Sequence, residues 1–429
     1  MLPIQRFVAH CRKTSKTSRL CSGSNIRRAF NANVVIQNRT LLTAAVNAAD
    51  GLSDSESEIY SLAKRFADQE FAPNMRKWDE SSFFPVDTMK KAADLGFGAI
   101  YCSDEFGGSA LSRIDASLIF EALATGCVPT TAFISIHNMV AWMIDSFGSN
   151  ALREKYIPAL SKMDLIASYC LTEPSSGSDA SSLQTTAKRD GDYLILNGSK
   201  AFISGAGSSD LYLVMVRTGV LGAKGITSVL VEKGTPGLSF GKNEEKIGWK
   251  CQPTKVVTFE DCKIPVSNIV GDEGKGFTYA MKGLNGGRVN IASCSLGGAQ
   301  SALENPQAAV EYSHVREQFK GPLSSFQSIQ FKLSEMSVKL AASRLMVRNA
   351  ARAIDTNSPS AVAACAMAKY YATEECFKVC DEAVQIHGGY GYLNDYAVGQ
   401  YMRDLRVHRI LEGTNEVMKM IVAREILKE

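Results

Sequence analysis

The sequence predicts a mainly helical protein with a β domain in its middle, because the spacing of its apolar residues changes twice along the chain. Residues 51–165 and 276–429 repeat apolar residues three and four positions apart, as amphipathic helices do. Residues 166–275 instead hold short β-rich runs punctuated by Gly and Pro. We therefore predict an N-terminal helical domain over 46–165, a middle β domain over 166–275 and a C-terminal helical bundle domain over 276–429.

The N-terminal domain begins with a short amphipathic helix. Ile59, Leu62 and Phe66 share one helical face, and Pro73 follows them as a stop signal. The Ser-Glu-Ser-Glu run at 55–58 predicts a capping box at the start of this helix. Further helices are predicted at 86–96, 114–127, 132–148 and 151–161.

The middle domain is predicted from runs rich in β-branched and aromatic residues, at 193–196, 211–216, 227–231 and 256–259. Turn signals such as Asn197-Gly198 separate them. Several short strands joined by such turns are typical of an antiparallel barrel or sandwich.

The C-terminal domain is predicted from long amphipathic stretches at 329–355, 360–387 and 396–427. Long antiparallel helices with short connections form a four-helix bundle. The run Asn305-Pro306-Gln307 looks like a three-residue insertion in a helix, where a proline costs about 3 kcal/mol. We expect a kink or a new helix start at this point.

The basic residues are unevenly distributed, and this predicts a targeting segment. Residues 1–49 contain eight Lys or Arg and no acid, which leaves 39 basic and 44 acidic residues in the remainder, a net charge of −5. An Arg-rich, Ser/Thr-rich and acid-free N-terminus is typical of a mitochondrial transit peptide, which we place at 1–45. The alternative is a disordered basic arm that binds nucleic acid. The acidic body and the lack of interleaved aromatic residues favour targeting, so we expect no nucleic-acid partner.

Neither a membrane span nor a metal site is predicted. No apolar run approaches the ~18 residues that a spanning helix needs. The five His and the nine Cys beyond the basic segment show no metal-ligand spacing. An odd number of scattered Cys is expected of free, mostly buried thiols in a reducing compartment.

Glu412 is the residue that suggests chemistry most directly. It follows Ile410-Leu411 and precedes Gly413-Thr414, so its carboxylate lies where an apolar helix face meets a turn. Partial desolvation there raises the pKa of a carboxyl group. A base with a raised pKa is suited to removing a proton next to a carbonyl group. The alternative is a helix-end Glu that only caps the helix or faces solvent.

Four other runs have the composition of ligand-contacting segments, and each also has a plain structural interpretation. Residues 169–179 form a loop of small and hydroxyl residues that lets backbone N–H groups approach a ligand, or a simple turn. Residues 202–204 place an aromatic and a hydroxyl side chain at a strand end. Residues 285–288 bring two Gly next to an Arg inside a helix, and residues 385–392 end a helix with Gly. No GxGxxG motif follows a strand and opens a helix, so a Rossmann nucleotide site is not indicated.

Taken together, these runs closely resemble the acyl-CoA dehydrogenase family. The matching motifs are Tyr-Cys-Leu-Thr-Glu-Pro-x-Ser-Gly-Ser-Asp, Phe-Ile-Ser, Asn-Gly-Gly-Arg, Val-Arg-x-Gln-Phe, Gln-Ile-His-Gly-Gly-Tyr-Gly and Leu-Glu-Gly-Thr-Asn-Glu. They occur in the family's order over about residues 52–429. Each motif is weak alone, whereas six in the same order are specific. Residues 120–127 and 134–139 are most similar to members that act on short branched acyl chains.

The resemblance implies two helical domains around a β domain, with FAD bound between domains and at a subunit interface of a homotetramer. It also implies that Glu412 removes the α-proton of an acyl-CoA thioester while the flavin N5 accepts the β-hydride. The backbone N–H of Glu412 and a flavin ribityl hydroxyl would hold the thioester oxygen. Some relatives carry the base at the position of Gly287, which has no side chain, so Glu412 is the only candidate in this chain.

The resemblance assigns binding residues as well. Those expected to contact FAD are Tyr169, Cys170, Leu171, Thr172, Glu173, Pro174, Ser175, Ser176, Gly177, Ser178, Phe202, Ile203, Ser204, Arg316, Phe326, Gln327, Gln385, Ile386, His387, Gly388, Gly389, Thr414, Asn415 and Glu416. Those from Arg316 to Gly389 would hold the FAD of a neighbouring subunit. Thr414, Asn415 and Glu416 would hold the adenosine end of FAD. Those expected to contact substrate are Ser178, Asn285, Gly286, Gly287, Arg288 and Arg424.

Two residues depart from the family pattern. Phe202 stands where many relatives have Trp, which keeps an aromatic ring but loses the indole N–H. Ser175 stands where relatives usually have Gly, and it would be strained if its φ were positive.

The implied function is FAD-dependent dehydrogenation of a short branched acyl-CoA. The resemblance favours isobutyryl-CoA to methacrylyl-CoA in valine breakdown, with electron-transfer flavoprotein as partner in the mitochondrial matrix. One methylene is worth only about 1–3 kcal/mol, so 2-methylbutyryl-CoA or a short straight chain stays an alternative. An alternative of another class is a non-catalytic paralogue that acts as a mitochondrial assembly or scaffold protein. Retention of Glu412 with the flavin-lining residues favours the enzyme.

Overall fold

The computed structural model describes residues 47–305 and 307–428. The predicted transit peptide at 1–45 and Pro306 lie outside the described residues. Within them the elements run in the order helical, β, helical, so the predicted fold class is confirmed.

The N-terminal part of the described chain folds into α-helices that pack on one another. They are α1 (Asp54–Phe66), α2 (Met75–Ser81), α3 (Val86–Asp94), α4 (Arg113–Ala124), α5 (Val128–Phe147) and α6 (Asn150–Ser161). The capping box of α1 is displaced by two residues from the prediction. The Ser53 hydroxyl, and not that of Ser55, accepts from the Glu56 backbone N–H, and the Ser53 backbone N–H donates to the Glu56 carboxylate. α4 and α5 are apolar on most sides and therefore lie buried between the other elements.

The middle domain is one eight-stranded, mainly antiparallel sheet. Its strands are β1 (Ala167–Cys170), β2 (Thr186–Asp190), β3 (Tyr193–Ser204), β4 (Leu211–Arg217), β5 (Ile226–Glu232), β6 (Leu238–Phe240), β7 (Thr254–Pro265) and β8 (Ile269–Val270). They lie in the order β6-β7-β3-β2-β4-β5-β8, and β1 pairs in parallel with β4. The four predicted runs all lie inside these strands. Buried residues of β1, β4 and β5 pack with α5 and α6, which joins the sheet to the N-terminal helices.

The C-terminal part of the chain is helical apart from a short hairpin. The helices are α7 (Gly276–Glu304), α8 (Ala309–Val315), α9 (Gln327–Asp355), α10 (Ala361–His387), α11 (Ala397–Arg406) and α12 (Asn415–Ile426), and the hairpin pairs β9 (Glu317–Gln318) with β10 (Gly321–Pro322). The long helices α7, α9 and α10 pack against one another, and α11 and α12 pack on α10. α7 also packs on α4, α5 and β5, so it connects all three domains.

Two predicted helical runs are interrupted. The stretch 396–427 is not one helix, because residues 407–414 leave the α-helix and form a connection that carries Glu412. At the insertion, α7 ends at Glu304 and α8 begins at Ala309. The insertion therefore separates two helices instead of kinking one.

The described residues agree with the predicted thiol chemistry. Their nine cysteines are free and buried.

No helix in 47–305 or 307–428 is long and apolar enough to cross a membrane. In the same ranges no three His, Cys, Asp or Glu side chains gather where they could hold a metal ion.

Candidate active site

Glu412 lies between α11 and α12 in a backbone conformation that few residues with a side chain adopt. Its φ is +58° and that of Gly413 is +88°, so two successive residues occupy the left-handed region. Such a conformation costs about 1–3 kcal/mol for a residue with a Cβ and persists only where its surroundings hold it. The turn brings the Glu412 side chain to α7, where a Cβ added to Gly287 would lie 2.4 Å from Glu412 Oε2. Because Gly287 has no side chain, the Glu412 carboxylate can occupy the space beside α7.

The Glu412 carboxylate is desolvated. Its Oε2 atom is buried and has no hydrogen-bond partner among the described residues. Burial raises the pKa of Glu412 to about 7, although the positive charges of Arg288 and Lys369 act in the opposite direction. A carboxylate with this pKa can accept a proton near neutral pH.

Arg288 is the first cation beside Glu412. Its side chain is only 4% exposed, and its Nη1 donates to Asn285 Oδ1 at 2.6 Å. Burial lowers the pKa of Arg288, and the negative charge of Glu412 opposes that effect. The predicted run 285–288 thus brings an arginine and a side-chain-free position to the same carboxylate.

Lys369 is a second cation at this site, and the sequence reasoning missed it. The side chain is fully buried on α10, and its Nζ donates to the Gly413 carbonyl at 2.7 Å and to Asn415 Oδ1 at 3.0 Å. Burial lowers the pKa of Lys369 to about 7. The signal available in the sequence was one lysine directly after the small and apolar run 361–368.

The loop after β1 has an accessible side next to this site. Burial and the charge of Glu412 both raise the pKa of Tyr169, and its buried hydroxyl has no partner among the described residues. A Cβ on Gly177 would meet no atom within 4 Å, so the chain leaves the space in front of it open. The φ of Ser175 is not positive, so the predicted strain is absent. Among the predicted cofactor residues of the loop, the exposed ones are Pro174, Ser175, Gly177 and Ser178.

Other side chains of the same run, all in the predicted cofactor set, face the protein interior. Cys170 packs in the core of the sheet, and Leu171 packs against α5 and α6. Glu173 is buried and accepts from Lys200 Nζ at 2.7 Å and from two backbone N–H groups. The Ser176 hydroxyl donates to a backbone carbonyl of its own loop. Any contact of these residues with a ligand must use their backbone atoms.

Phe202 is an aromatic side chain turned out of the sheet. It is 71% exposed and has a φ of +59°. The pairing of β3 with β7 shifts register between Lys200 and Ile203, so Phe202 lies in a β-bulge while Ile203 packs in the core. The Ser204 hydroxyl accepts from a glutamine side chain at 3.3 Å. Phe202 thus offers an exposed ring face to a ligand.

A second set of predicted residues gathers around a separate cavity. Arg316, Ile386, His387, Gly388 and Gly389 all line this space of about 390 Å³. A Cβ on either glycine would meet no atom within 4 Å. The ring nitrogens of His387 lie 2.7 Å and 2.8 Å from backbone carbonyl oxygens of the chain itself. The neighbouring predicted residues Gln327 and Gln385 are exposed, and Phe326 is half-buried.

The residues after Glu412 mostly support its loop. Thr414 caps α12 by accepting from the Val417 backbone N–H, and the Asn415 side chain is buried against α10. Glu416, the third residue predicted at the adenosine end of FAD, is exposed. Arg424 is also exposed, and it lies about 14 Å along α12 from Asn415 at 1.5 Å per residue.

Comparison with known proteins identifies the family. Residues 53–164, 168–262 and 274–427 match the N-terminal, middle and C-terminal domains of acyl-CoA dehydrogenase. The chain belongs to the acyl-CoA dehydrogenase family. It is an oxidoreductase of the family, with FAD as its cofactor.

Individual relatives match over most of their length. The mitochondrial isobutyryl-CoA dehydrogenase of Bos taurus is 56% identical over 388 residues, 90% of this chain and 92% of that protein. The protein of the same name from Dictyostelium discoideum is 56% identical over 397 residues, 92% and 95% of the two chains. The solved butyryl-CoA dehydrogenase of Megasphaera elsdenii has a TM-score of 0.84 at 37% identity and covers 88% of this chain and 99% of that one.

The residues of this chain fit a bound FAD. The exposed Phe202 ring suits a planar aromatic group, and the orphaned Tyr169 hydroxyl lacks a polar partner. Gly177, Gly388 and Gly389 leave room for close approach of a ligand to the backbone.

Proposed function

We propose that this enzyme removes the α-proton and the β-hydride of a short branched acyl-CoA, converting isobutyryl-CoA to methacrylyl-CoA, with Glu412 as the base. The observation that carries the proposal is the buried, unpartnered Glu412 Oε2 beside Gly287, on a carboxyl group with a pKa of about 7. The acyl chain is supported by the 56% identity to the isobutyryl-CoA dehydrogenases. This reaction belongs to valine breakdown.

Glu412 contributes twice to this reaction. Its carboxylate accepts the α-proton, which a raised pKa favours because the base is then matched to neutral pH. Its backbone N–H is assigned to the thioester oxygen, where a hydrogen bond stabilises the negative charge that develops as the α-proton leaves. FAD, when bound, supplies the acceptor for the β-hydride. The left-handed turn fixes the carboxylate and the N–H of one residue together.

The cofactor and substrate contacts follow from which side chains are accessible. We assign the flavin to Tyr169, to the exposed residues of its loop and to Phe202, with Ser178 also contacting the CoA part. Arg316, Phe326, Gln327, Gln385 and the open Gly388-Gly389 pair are assigned to the FAD of a neighbouring subunit. Asn285 and Arg288 are assigned to the substrate side of Glu412.

The assembly and location are part of the same proposal. A homotetramer is supported by the family resemblance and by an apolar groove on α9, α10 and α12 that includes Met346, Met367 and Ile426. Electron-transfer flavoprotein is proposed as electron acceptor from the family resemblance. A mitochondrial location, in the matrix, is supported by the two mitochondrial relatives and by the basic, acid-free residues 1–49.

Anaerobic titration of the purified enzyme tests this function. Isobutyryl-CoA, 2-methylbutyryl-CoA and butyryl-CoA are added separately while the absorbance of the oxidised flavin is followed. We expect loss of that band near one equivalent of isobutyryl-CoA, with weaker responses to the other two thioesters. A stronger response to either of them would reassign the substrate. A flavin that stays oxidised with all three would refute the proposed reaction.

A further inference from the structure

One buried ammonium group fastens the loop of Glu412 to α10. Lys369 Nζ donates to the Gly413 carbonyl at 2.7 Å and to Asn415 Oδ1 at 3.0 Å. One helical turn later, the Thr373 hydroxyl donates to the same Asn415 oxygen at 3.1 Å. The turn after Glu412 is therefore bound to α10 at two successive points, directly behind the residue with the strained backbone.

Hydrogen bonds that hold the loop of Glu412 to α10 do not require a charged side chain. A fully buried lysine loses its hydration, and an apolar side chain of similar volume is often less costly at such a place. The two acceptors of Lys369 are neutral oxygens, so neither of them balances the ammonium charge. The charged groups that face Lys369 are Arg288 on α7, Glu412 in the loop and Glu416 on α12, and the buried His408 ring lies near it on the preceding turn. Because Arg288 repels the ammonium and Glu416 is exposed, the Glu412 carboxylate, whose Oε2 is buried, is the group that the ammonium charge stabilises.

We propose that Lys369 is a positioning residue for the dehydrogenation: it holds the left-handed Glu412–Gly413 turn through the Gly413 carbonyl, and its charge favours the ionised form of the neighbouring carboxylate. This inference rests on the proposed role of Glu412 as base. Two effects follow from one side chain, and they can be separated. The hydrogen bonds fix where the carboxylate lies, and the charge sets the pH at which it ionises.

The test compares Lys369→Met, which removes donor and charge, with Lys369→Gln, which keeps an N–H donor but loses the charge. Thr373→Val is the matched control, since it removes one hydrogen bond to Asn415 from the same helix face and leaves the ammonium in place. Each holoenzyme is measured for kcat, KM, the pH dependence of kcat/KM and hydrogen–deuterium exchange of the peptide 407–417. Fluorescence of FAD released on denaturation gives the flavin content.

For Lys369→Met we expect a fall in kcat of about ten- to a hundredfold with little change in KM, because misplacement of a catalytic group by about 1 Å costs this much. The acid limb of kcat/KM moves to higher pH in both Lys369 variants, since losing a nearby positive charge raises the pKa of a carboxyl group. Exchange in 407–417 is faster in Lys369→Met than in Thr373→Val, because only Lys369→Met removes the hydrogen bond to the Gly413 carbonyl.

Lys369 variants that hold flavin and keep the wild-type kcat, acid limb and exchange would overturn the inference. If Lys369→Met does not fold, Lys369→Gln decides, and an unmoved acid limb then refutes the role of the charge. Glu412→Gln is measured beside them. If Glu412→Gln retains turnover, the proposed base is wrong. If Glu412→Gln is inactive and the Lys369 variants behave like wild type, the base stands and only the role of Lys369 is refuted.

Discussion

Gly287→Ala is expected to damage catalysis without damaging the fold. The added Cβ would lie 2.4 Å from Glu412 Oε2 and 2.8 Å from Glu412 Cδ, whereas ordinary contacts begin at 3.4 Å. The carboxylate must therefore retreat by about 1 Å, and a displacement of this size at a reacting group costs about a hundredfold in rate. The atoms it meets belong to the end of a flexible side chain, so α7 itself need not move. Replacing Gly by Ala inside a helix also favours folding by about 1 kcal/mol.

The assay combines steady-state turnover with thermal unfolding. We expect kcat to fall by about a hundredfold, equivalent to about 2.7 kcal/mol in the activation barrier, while the unfolding midpoint stays equal or rises. Gly283→Ala is the control on the same helix, because its Cβ would meet only the flexible side chains of Met143 and Met139. A Gly287→Ala enzyme with kcat within twofold of wild type would refute the close packing of Glu412 against α7.

Three further predictions follow from the site. The kcat/KM for isobutyryl-CoA should rise with pH through an apparent pKa near 7, because Glu412 must be ionised to accept a proton, and a pH-independent profile between pH 5 and 8 would contradict this. Phe202→Ala should weaken FAD binding by about tenfold in an equilibrium titration, with Phe202→Trp close to wild type and equal unfolding midpoints for both. Lys200→Met should lower the free energy of unfolding in urea by about 3 kcal/mol, because it leaves the buried Glu173 carboxylate without its cation. Lys64→Met, which breaks the exposed ion pair of Lys64 with Asp68, is the control. Equal decreases in the free energy of unfolding for Lys64→Met and Lys200→Met would refute that reasoning.

The elements that the sequence predicts well are those set by local pattern. The desolvation of Glu412 could be expected, because its apolar neighbours and the following glycine are adjacent in the chain. The cap of α1 was placed two residues late because Ser53–Glu56 and Ser55–Glu58 have the same spacing, and only the folded chain distinguishes them. The helical spacing of apolar residues continues through 407–414, so it does not mark the break there, and the Gly413-Thr414 turn beside Glu412 is the part of the break that the sequence indicates.

The features that could not be predicted depend on residues far apart in the chain. Lys369 contacts Gly413 across 44 positions, and its place after the apolar run 361–368 indicates burial but not the segment that it holds. The outward ring of Phe202 results from a register shift against β7. A motif also does not tell whether a residue meets a ligand with its side chain or its backbone. For this reason the cofactor contacts of Cys170, Glu173 and His387 stay predictions, although their side chains face the interior.

The most direct test of Glu412 as the base is a single-turnover measurement on Glu412→Gln. Glutamine keeps the size and the backbone N–H of the residue but cannot accept the α-proton as a carboxylate does. The purified variant, with FAD bound, is mixed anaerobically with isobutyryl-CoA in a stopped-flow instrument, and the oxidised flavin band is followed, with the exposed Glu58→Gln variant as control. We expect Glu58→Gln to lose the band at the wild-type rate and Glu412→Gln to keep it oxidised. Loss of the band at the wild-type rate in Glu412→Gln would show that another group removes the α-proton.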